Sequence, residues 1–520
     1  QRMSGNAGNN KEAEAAATAV SSIPTDVSLH EAVGEIIRTA QGAGLSVANH
    51  AACVTLRKSV SDANQDVNED LDRLFQYYPG LLDQVVASLR GNLDDSIRLE
   101  LLWFLTNVGS GNLTQAERLR DAGAFSVFAT HCHYSNMAVA EQAVWAIGNI
   151  LGEVPLKAAM IENGAPQGLH SYFLRSRPLM AGNTVARGNG AREMGVRGAG
   201  LPPDTFASFS GFTNCLWAML NLYRGRPSGH TDDVLRDLMD TLIQSESWPI
   251  GKADEAVDAM WALSYAAEID ELQPMIMSHP GFMDTLFSIL RTFSRDPPRA
   301  PKTYKVCARV LGNLLSGPDA TCVRLCDMGC LDVLHHLVLH SEGQRTIPMK
   351  ELVWSLSNVS ATAVTVPVIV AHPVYALLLS AARLDHYDTA TKKEIAFLVG
   401  NALSVAADHQ PLLDMLEQGM MGDVMNCLED VIEHDHTTAR VVEELSVAYV
   451  LHYLRDNGSA RPGRPISEDI ALAMERCRMA CETVAQQYDM ADNAHTVIAM
   501  FDAYLEAEGE AESEAEGEGE

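Results

Sequence analysis

The apolar positions of this chain recur at helical spacing, and one short phrase returns along it. It reads LLWFLTNVGSG at 101–111, AVWAIGNILGE at 143–153, CLWAMLNLYRG at 215–225 and AMWALSYAAE at 259–268. It continues as CARVLGNLLSG at 307–317, LVWSLSNVSA at 352–361 and IAFLVGNALS at 395–404. Nothing alternates with the period of two that marks a strand, so the pattern predicts an all-α protein. A second phrase lies between these: DAGAFSVFATHC at 121–132, ENGAPQGLHSYF at 162–173 and DMGCLDVLHHLV at 327–338. Each sets a glycine between two apolar-periodic helices, which predicts a helix ended by a left-handed residue and a second helix that packs back on it.

From one Trp position of the first phrase to the next, the steps are 42, 72, 44, 48, 45 and 43 residues. Apart from the step of 72, these match the ~40–47-residue period of armadillo or HEAT units. The predicted architecture is a right-handed armadillo-repeat superhelical solenoid of about ten repeats, three helices to a unit, with the last helices lining a concave surface. The long step contains the Gly- and Arg-rich stretch 177–211, too poor in apolar residues to fold alone and therefore predicted to be a flexible insertion. The expected boundaries are a disordered segment 1–26, an armadillo domain 27–505 and a disordered acidic tail 506–520, in which Glu fills every second position.

Composition narrows the function. A net charge of −30 argues against direct nucleic-acid binding, which needs clustered Lys and Arg, and points to basic partners. No run of eighteen apolar residues and no signal-peptide pattern is visible, so no membrane partner is expected and the chain reads as soluble and intracellular. The ten cysteines lack zinc-ribbon or disulfide-framework spacing. Cys322, Cys326 and Cys330 stand four apart, could share one helix face, and read as buried core residues. His131, Cys132 and His133 read as a loop or helix start. Without a phosphate-cradling glycine loop, HExxH or nucleophile elbow, neither an enzyme nor a cofactor or metal is expected.

The chemistry lies in pairs. Trp103/Asn107, Trp145/Asn149, Trp217/Asn221 and Trp354/Asn358 are each four residues apart, on one helix face. A lone Trp at this spacing is usually core and a lone Asn usually bonds nearby backbone, but repetition at the repeat period favours a functional ladder. Asn amides, each donor and acceptor, can hold the main chain of an extended peptide whatever its sequence. Between parallel indoles, a Lys or Arg stem gains apolar contact and a cation–π attraction of about 0.5–2 kcal/mol.

The phrases WFLTN, WAIGN, WAMLN, WALSY, RVLGN and WSLSN, in that order, resemble the consecutive repeats of importin-α, the armadillo adaptor for nuclear localisation signals. The resemblance spans about residues 60–505 and extends to Tyr265 in place of Asn and Arg309 in place of Trp. It implies a larger peptide site of Trp103, Asn107, Gln142, Trp145, Asn149, Glu153, Asn214, Trp217 and Asn221, with Glu153 where the family has the Asp that grips a key lysine. It implies a smaller site of Arg309, Asn313, Glu351, Trp354, Asn358, Glu394 and Asn401. There Phe397 replaces a Trp and offers a weaker cation–π face.

The resemblance further implies basic cargo, importin-β and an export receptor as partners, the last meeting the final repeat and acidic tail, and residence in cytoplasm and nucleus. The family's Arg- and Lys-rich importin-β-binding segment is not legible in residues 1–60, whose cations are Arg2, Lys11, Arg38, Arg57 and Lys58. Two alternatives stay open: a structural armadillo protein of a fixed cytoskeletal or ciliary assembly, and a dedicated chaperone of one basic client. In the insertion, Arg187, Arg192 and Arg197 read as solvated linker charges or as a weak internal mimic of cargo.

Overall fold

The computed structural model describes residues 27–42, 45–60, 67–176, 209–225, 232–245, 256–292, 301–341, 348–384, 386–405 and 468–487, with isolated positions at 423–424, 445–446, 495, 498–499 and 502–503. The segments 1–26 and 506–520, nearly all of the 177–211 stretch, and Arg187, Arg192 and Arg197 lie outside the described residues. Among those described, every regular element is a helix, in accord with the all-α prediction. No single described helix is long and apolar enough to cross a membrane.

The chain divides into two compact units, residues 1–234 and 235–520. The first holds α1 (Val27–Gln41), α2 (His50–Lys58), α3 (Val67–Tyr77), α4 (Leu81–Leu89) and α5 (Asp95–Gly109). It continues with α6 (Leu113–Asp121), α7 (Ala124–His131), α8 (Met137–Leu151), α9 (Lys157–Glu162), α10 (Ala165–Ser176) and α11 (Phe209–Tyr223). The second takes all but the first three residues of α12 (Asp232–Ser245), then α13 (Val257–Ala266), α14 (Gln273–Ser278), α15 (Phe282–Arg291) and α16 (Pro301–Leu315). After these come α17 (Asp319–Asp327), α18 (Cys330–Ser341), α19 (Met349–Ser360), α20 (Val366–Ala371), α21 (Pro373–Leu378), α22 (Ala381–Leu384), α23 (Thr389–Val405) and α24 (Glu468–Gln487).

The repeating triplet of short, middle and long helices is plain in α6–α7–α8 and α17–α18–α19. The turn between the first two is made where the sequence placed it: Gly123, Gly164 and Gly329 have φ of 74°, 91° and 84°, a region costly for residues with a Cβ. The long helix α8 starts at a side-chain cap, where Asn136 accepts the N–H of Ala138 at 3.0 Å. The long helices stack on one another, α5 against α2 and α8 and α8 against α11 in the first unit, and α13, α16, α19 and α23 in succession in the second. Because α8 is flanked by α5, α7, α10 and α11, it buries most of its circumference, Val139, Ala140, Ala143, Val144, Ala146, Ile147 and Ile150 included. That explains why these helices read as apolar nearly all round.

Three expectations change. α11 begins at Phe209, so the last three residues assigned to the insertion are helical. Gly211 is there because a Cβ would collide with the Tyr172 hydroxyl and the Glu141 carboxylate. His131 does not open a helix but closes α7; it is buried, its Nδ1 donates to the Val127 carbonyl at 2.7 Å, and its Nε2 accepts from Arg98 at 2.8 Å. Burial, with Arg98 beside it, holds this imidazole below its ordinary pKa. Cys330 shares no helix with Cys322 and Cys326, because Gly329 turns the chain between α17 and α18; Cys322 and Cys330 are buried and Cys326 half-buried.

Candidate functional site

The Trp residues of the recurring phrase are not core. Trp145 is 42% exposed, and Trp103, Trp217, Trp261 and Trp354 are half-buried, while their neighbours Phe104, Ala146, Ala218, Ala262 and Ser355 are buried. A helix packed on nearly all sides thus leaves one stripe open, filled by the Trp side chains and by Asn107, Asn149, Asn358 and Asn401, while Asn221 and Asn313 are buried. In α13 the Trp261 and Tyr265 rings lie 6.4 Å apart, so the Tyr that replaces Asn extends the aromatic surface.

Each Asn after Asn107 is anchored to the preceding long helix in the same way. Its Nδ2 donates to the carbonyl one residue before the previous rung: Asn149 to Thr106 at 3.3 Å and Asn221 to Gly148 at 3.0 Å. In the second unit Asn313 donates to Ser264 at 2.7 Å, Asn358 to Gly312 at 3.2 Å and Asn401 to Ser357 at 3.1 Å. The pattern fixes which end of the amide is nitrogen. One N–H is used on the neighbouring helix; among the described residues, the half-buried Asn149, Asn358 and Asn401 keep a carbonyl oxygen and a second N–H that can meet an extended chain, whereas Asn313 spends a further bond on Glu268. An amide held this way loses little freedom when a peptide arrives. The packing role and the binding role, which the sequence posed as alternatives, are compatible in one side chain.

Two Trp rings rest on glycine. A Cβ at Gly148 would stand 2.2 Å from Trp217 Cζ3, and one at Gly312 would stand 2.4 Å from Trp354 Cζ3. The glycine before Asn in WAIGN and RVLGN is therefore the seat of the next indole. Those two phrases were the signal in the sequence, and the reading of Trp and Asn alone passed over it.

The remaining predicted residues fall as follows. Gln142 is buried, donating from Nε2 to the Thr106 hydroxyl at 2.8 Å, so it ties α8 to α5. Asn214 is half-buried one turn before Trp217. Glu153 is half-buried just beyond α8, where the chain enters a short 3-10 turn at Val154–Leu156. In the second unit Arg309 meets Glu351 at 3.3 Å, and Asn313 also donates to Glu268 at 3.3 Å. Glu394 is buried, and desolvation pushes its carboxyl above the usual range although Lys350 and Lys393 pull it down. Asn358 and Asn401 are half-buried beside Trp354 and Phe397.

Two cations missed in the sequence belong to this region. Arg57 places its guanidinium 4.2 Å from the Trp103 ring centroid and pairs through Nε with Glu100 at 2.6 Å. Lys157 is only 5% exposed and donates to the carbonyls of Asn221 at 2.5 Å, Leu222 at 3.4 Å and Arg224, closing the C-terminal end of α11. Burial, with Arg224 nearby, lowers this ammonium to a pKa of about 8.

Comparison with known proteins gives the class. No family model matches the chain. Importin subunit alpha-1b of Oryza sativa subsp. japonica is 25% identical over 287 residues, covering 53% of this chain and 44% of that protein. Probable importin subunit alpha-A of Dictyostelium discoideum is 26% identical over 215 residues (41% and 35%), and importin subunit alpha-2 of Arabidopsis thaliana 28% over 222 residues (41% and 34%). The chain spans less than half the length of these curated relatives. An engineered protein solved by crystallography shares the fold, with a TM-score of 0.58 at 17% identity over 92% of this chain and 99% of that one. The fold is that of an armadillo-repeat protein. Within that class, the chain resembles importin-α subunits, at 25–28% identity over 41–53% of its length.

Proposed function

We propose that this chain is a nuclear import adaptor, not an enzyme, that holds Lys- and Arg-rich signal peptides in extended conformation. The larger site is built from Trp103, Asn107, Trp145, Asn149, Trp217 and Asn221, with Gln142 and Asn214 supporting it and Glu153 accepting a lysine. The smaller site is built from Arg309, Asn313, Glu351, Trp354, Asn358, Glu394 and Asn401. The observation that carries this reading is the series of exposed or half-exposed indoles alternating with Asn amides that are pre-oriented by the helix before them. Open indole faces suit the stems of lysine and arginine, and the net charge of −30 draws in a cationic chain. The names of the relatives, importin alpha subunits, support an import role; on this reading cargo proteins, importin-β and an export receptor are its partners and cytoplasm and nucleus its compartments.

Fluorescence anisotropy with a labelled Lys/Arg-rich peptide tests this. Asn107→Ala combined with Asn149→Ala should weaken binding by about 1–3 kcal/mol through lost main-chain bonds. Affinity unchanged from wild type would defeat the reading. Tolerance of several unrelated basic peptides separates an adaptor from a chaperone of one client.

A further inference from the structure

Arg57 is drawn from α2, which packs on α5 as α8 does without itself packing extensively on α8, and its guanidinium lies 4.2 Å from the Trp103 ring centroid. Its Nε is held by Glu100, three residues before Trp103 on α5, at 2.6 Å. Both side chains are only 13% exposed, so the pair is fixed and largely shielded from solvent. A cation over an indole face with a carboxylate at its head is the arrangement that a slot would offer a basic peptide side chain. Here the chain supplies the cation itself.

We propose that Arg57 is a resident occupant of the terminal aromatic slot. It closes the ladder at Trp103, so that a bound basic chain finds its first open slot between Trp103 and Trp145. This rests on the peptide-binding reading above and adds a residue that sets the register and length of the peptide. Removing the Arg57 side chain bares a ring face and the Glu100 carboxylate together, the two components of a lysine subsite. The variant then accommodates one more cation than wild type. The same contact gives Trp103 a fixed ring position before any peptide arrives, which keeps the first open slot formed in the free protein.

The test is a length series of fluorescein-labelled oligolysines, from two to eight residues, titrated by anisotropy into wild type and Arg57→Ala at one fixed salt concentration. Wild-type affinity should stop rising one lysine earlier than that of the variant. The additional lysine should improve binding to Arg57→Ala by about two- to thirtyfold, the range a cation–π contact supplies. Arg57→Lys should follow the wild-type curve, because an ammonium still fills the slot. If Arg57→Ala melts well below wild type, Arg57→Gln, which keeps a donor for Glu100 but no charge, replaces it in the same series. Identical length dependence in wild type and variant, with both binding, overturns this proposal and leaves the peptide-binding reading intact. Failure of folded wild type to bind any member of the series overturns both.

Discussion

Gly148→Ala isolates the contact between ladder helices. The new Cβ would stand 2.2 Å from Cζ3 and 2.6 Å from Cε3 of Trp217, where carbon atoms normally rest about 3.5–4.0 Å apart, so the indole must retreat by more than about 1 Å. Two terms oppose each other in the folded protein. Alanine gains about 1 kcal/mol over glycine inside a helix, and overpacking costs about 1–3 kcal/mol. Because Trp217 is only half-buried, it can swing outward, and net stability should fall by no more than about 2 kcal/mol. Binding should suffer more. The displaced ring spoils the slot between Trp145 and Trp217 and removes a cation–π contact of about 0.5–2 kcal/mol together with the apolar seat for a lysine stem, so affinity should drop about tenfold. Gly400 occupies the same place in IAFLVGNALS, yet among the described residues a Cβ there would meet Leu445 atoms at 3.8–3.9 Å, an ordinary contact. Gly400→Ala should therefore keep or raise stability. Urea denaturation and anisotropy with a Lys/Arg-rich peptide measure the two effects. If Gly148→Ala binds within twofold of wild type, the indole is not seated on that glycine in the way the reasoning requires.

Two pH effects follow from buried groups. Burial raises the Glu394 carboxyl, so on acidification it takes up its proton above the ordinary carboxylate range; basic-peptide binding at the smaller site should weaken there, and Glu394→Gln should bind weakly with no such pH dependence. Lys157 titrates near 8 when folded and near 10.5 in an ordinary environment, so the unfolded chain holds more protons between these values and stability should rise with pH across that window, by at most about 3 kcal/mol; urea midpoints of Lys157→Met should lack the rise.

The import reading and these effects start from features legible along the chain. Helical periodicity, the repeat phrase and the glycine turns at Gly123, Gly164 and Gly329 are local patterns, and local patterns fix helices, their ends and their apolar faces. The i,i+4 spacing of Trp145 and Asn149 put both on one face for the same reason. The His131 and Cys330 expectations failed where a helix end had to be placed within a residue or two. There the Asn136 cap and the Gly329 turn outweighed composition.

From the sequence alone came the all-helical repeat, its period and the stripe of Trp and Asn. Only the tertiary structure decided that Asn149 reaches the Thr106 carbonyl, that Trp217 lies on Gly148, that Lys157 closes α11 and that Arg57 covers Trp103. Each of these joins residues more than forty positions apart, on different helices. Sequence spacing sets the direction of a side chain about its own helix axis, whereas its height and rotation against the next helix are settled by how the two apolar faces interlock.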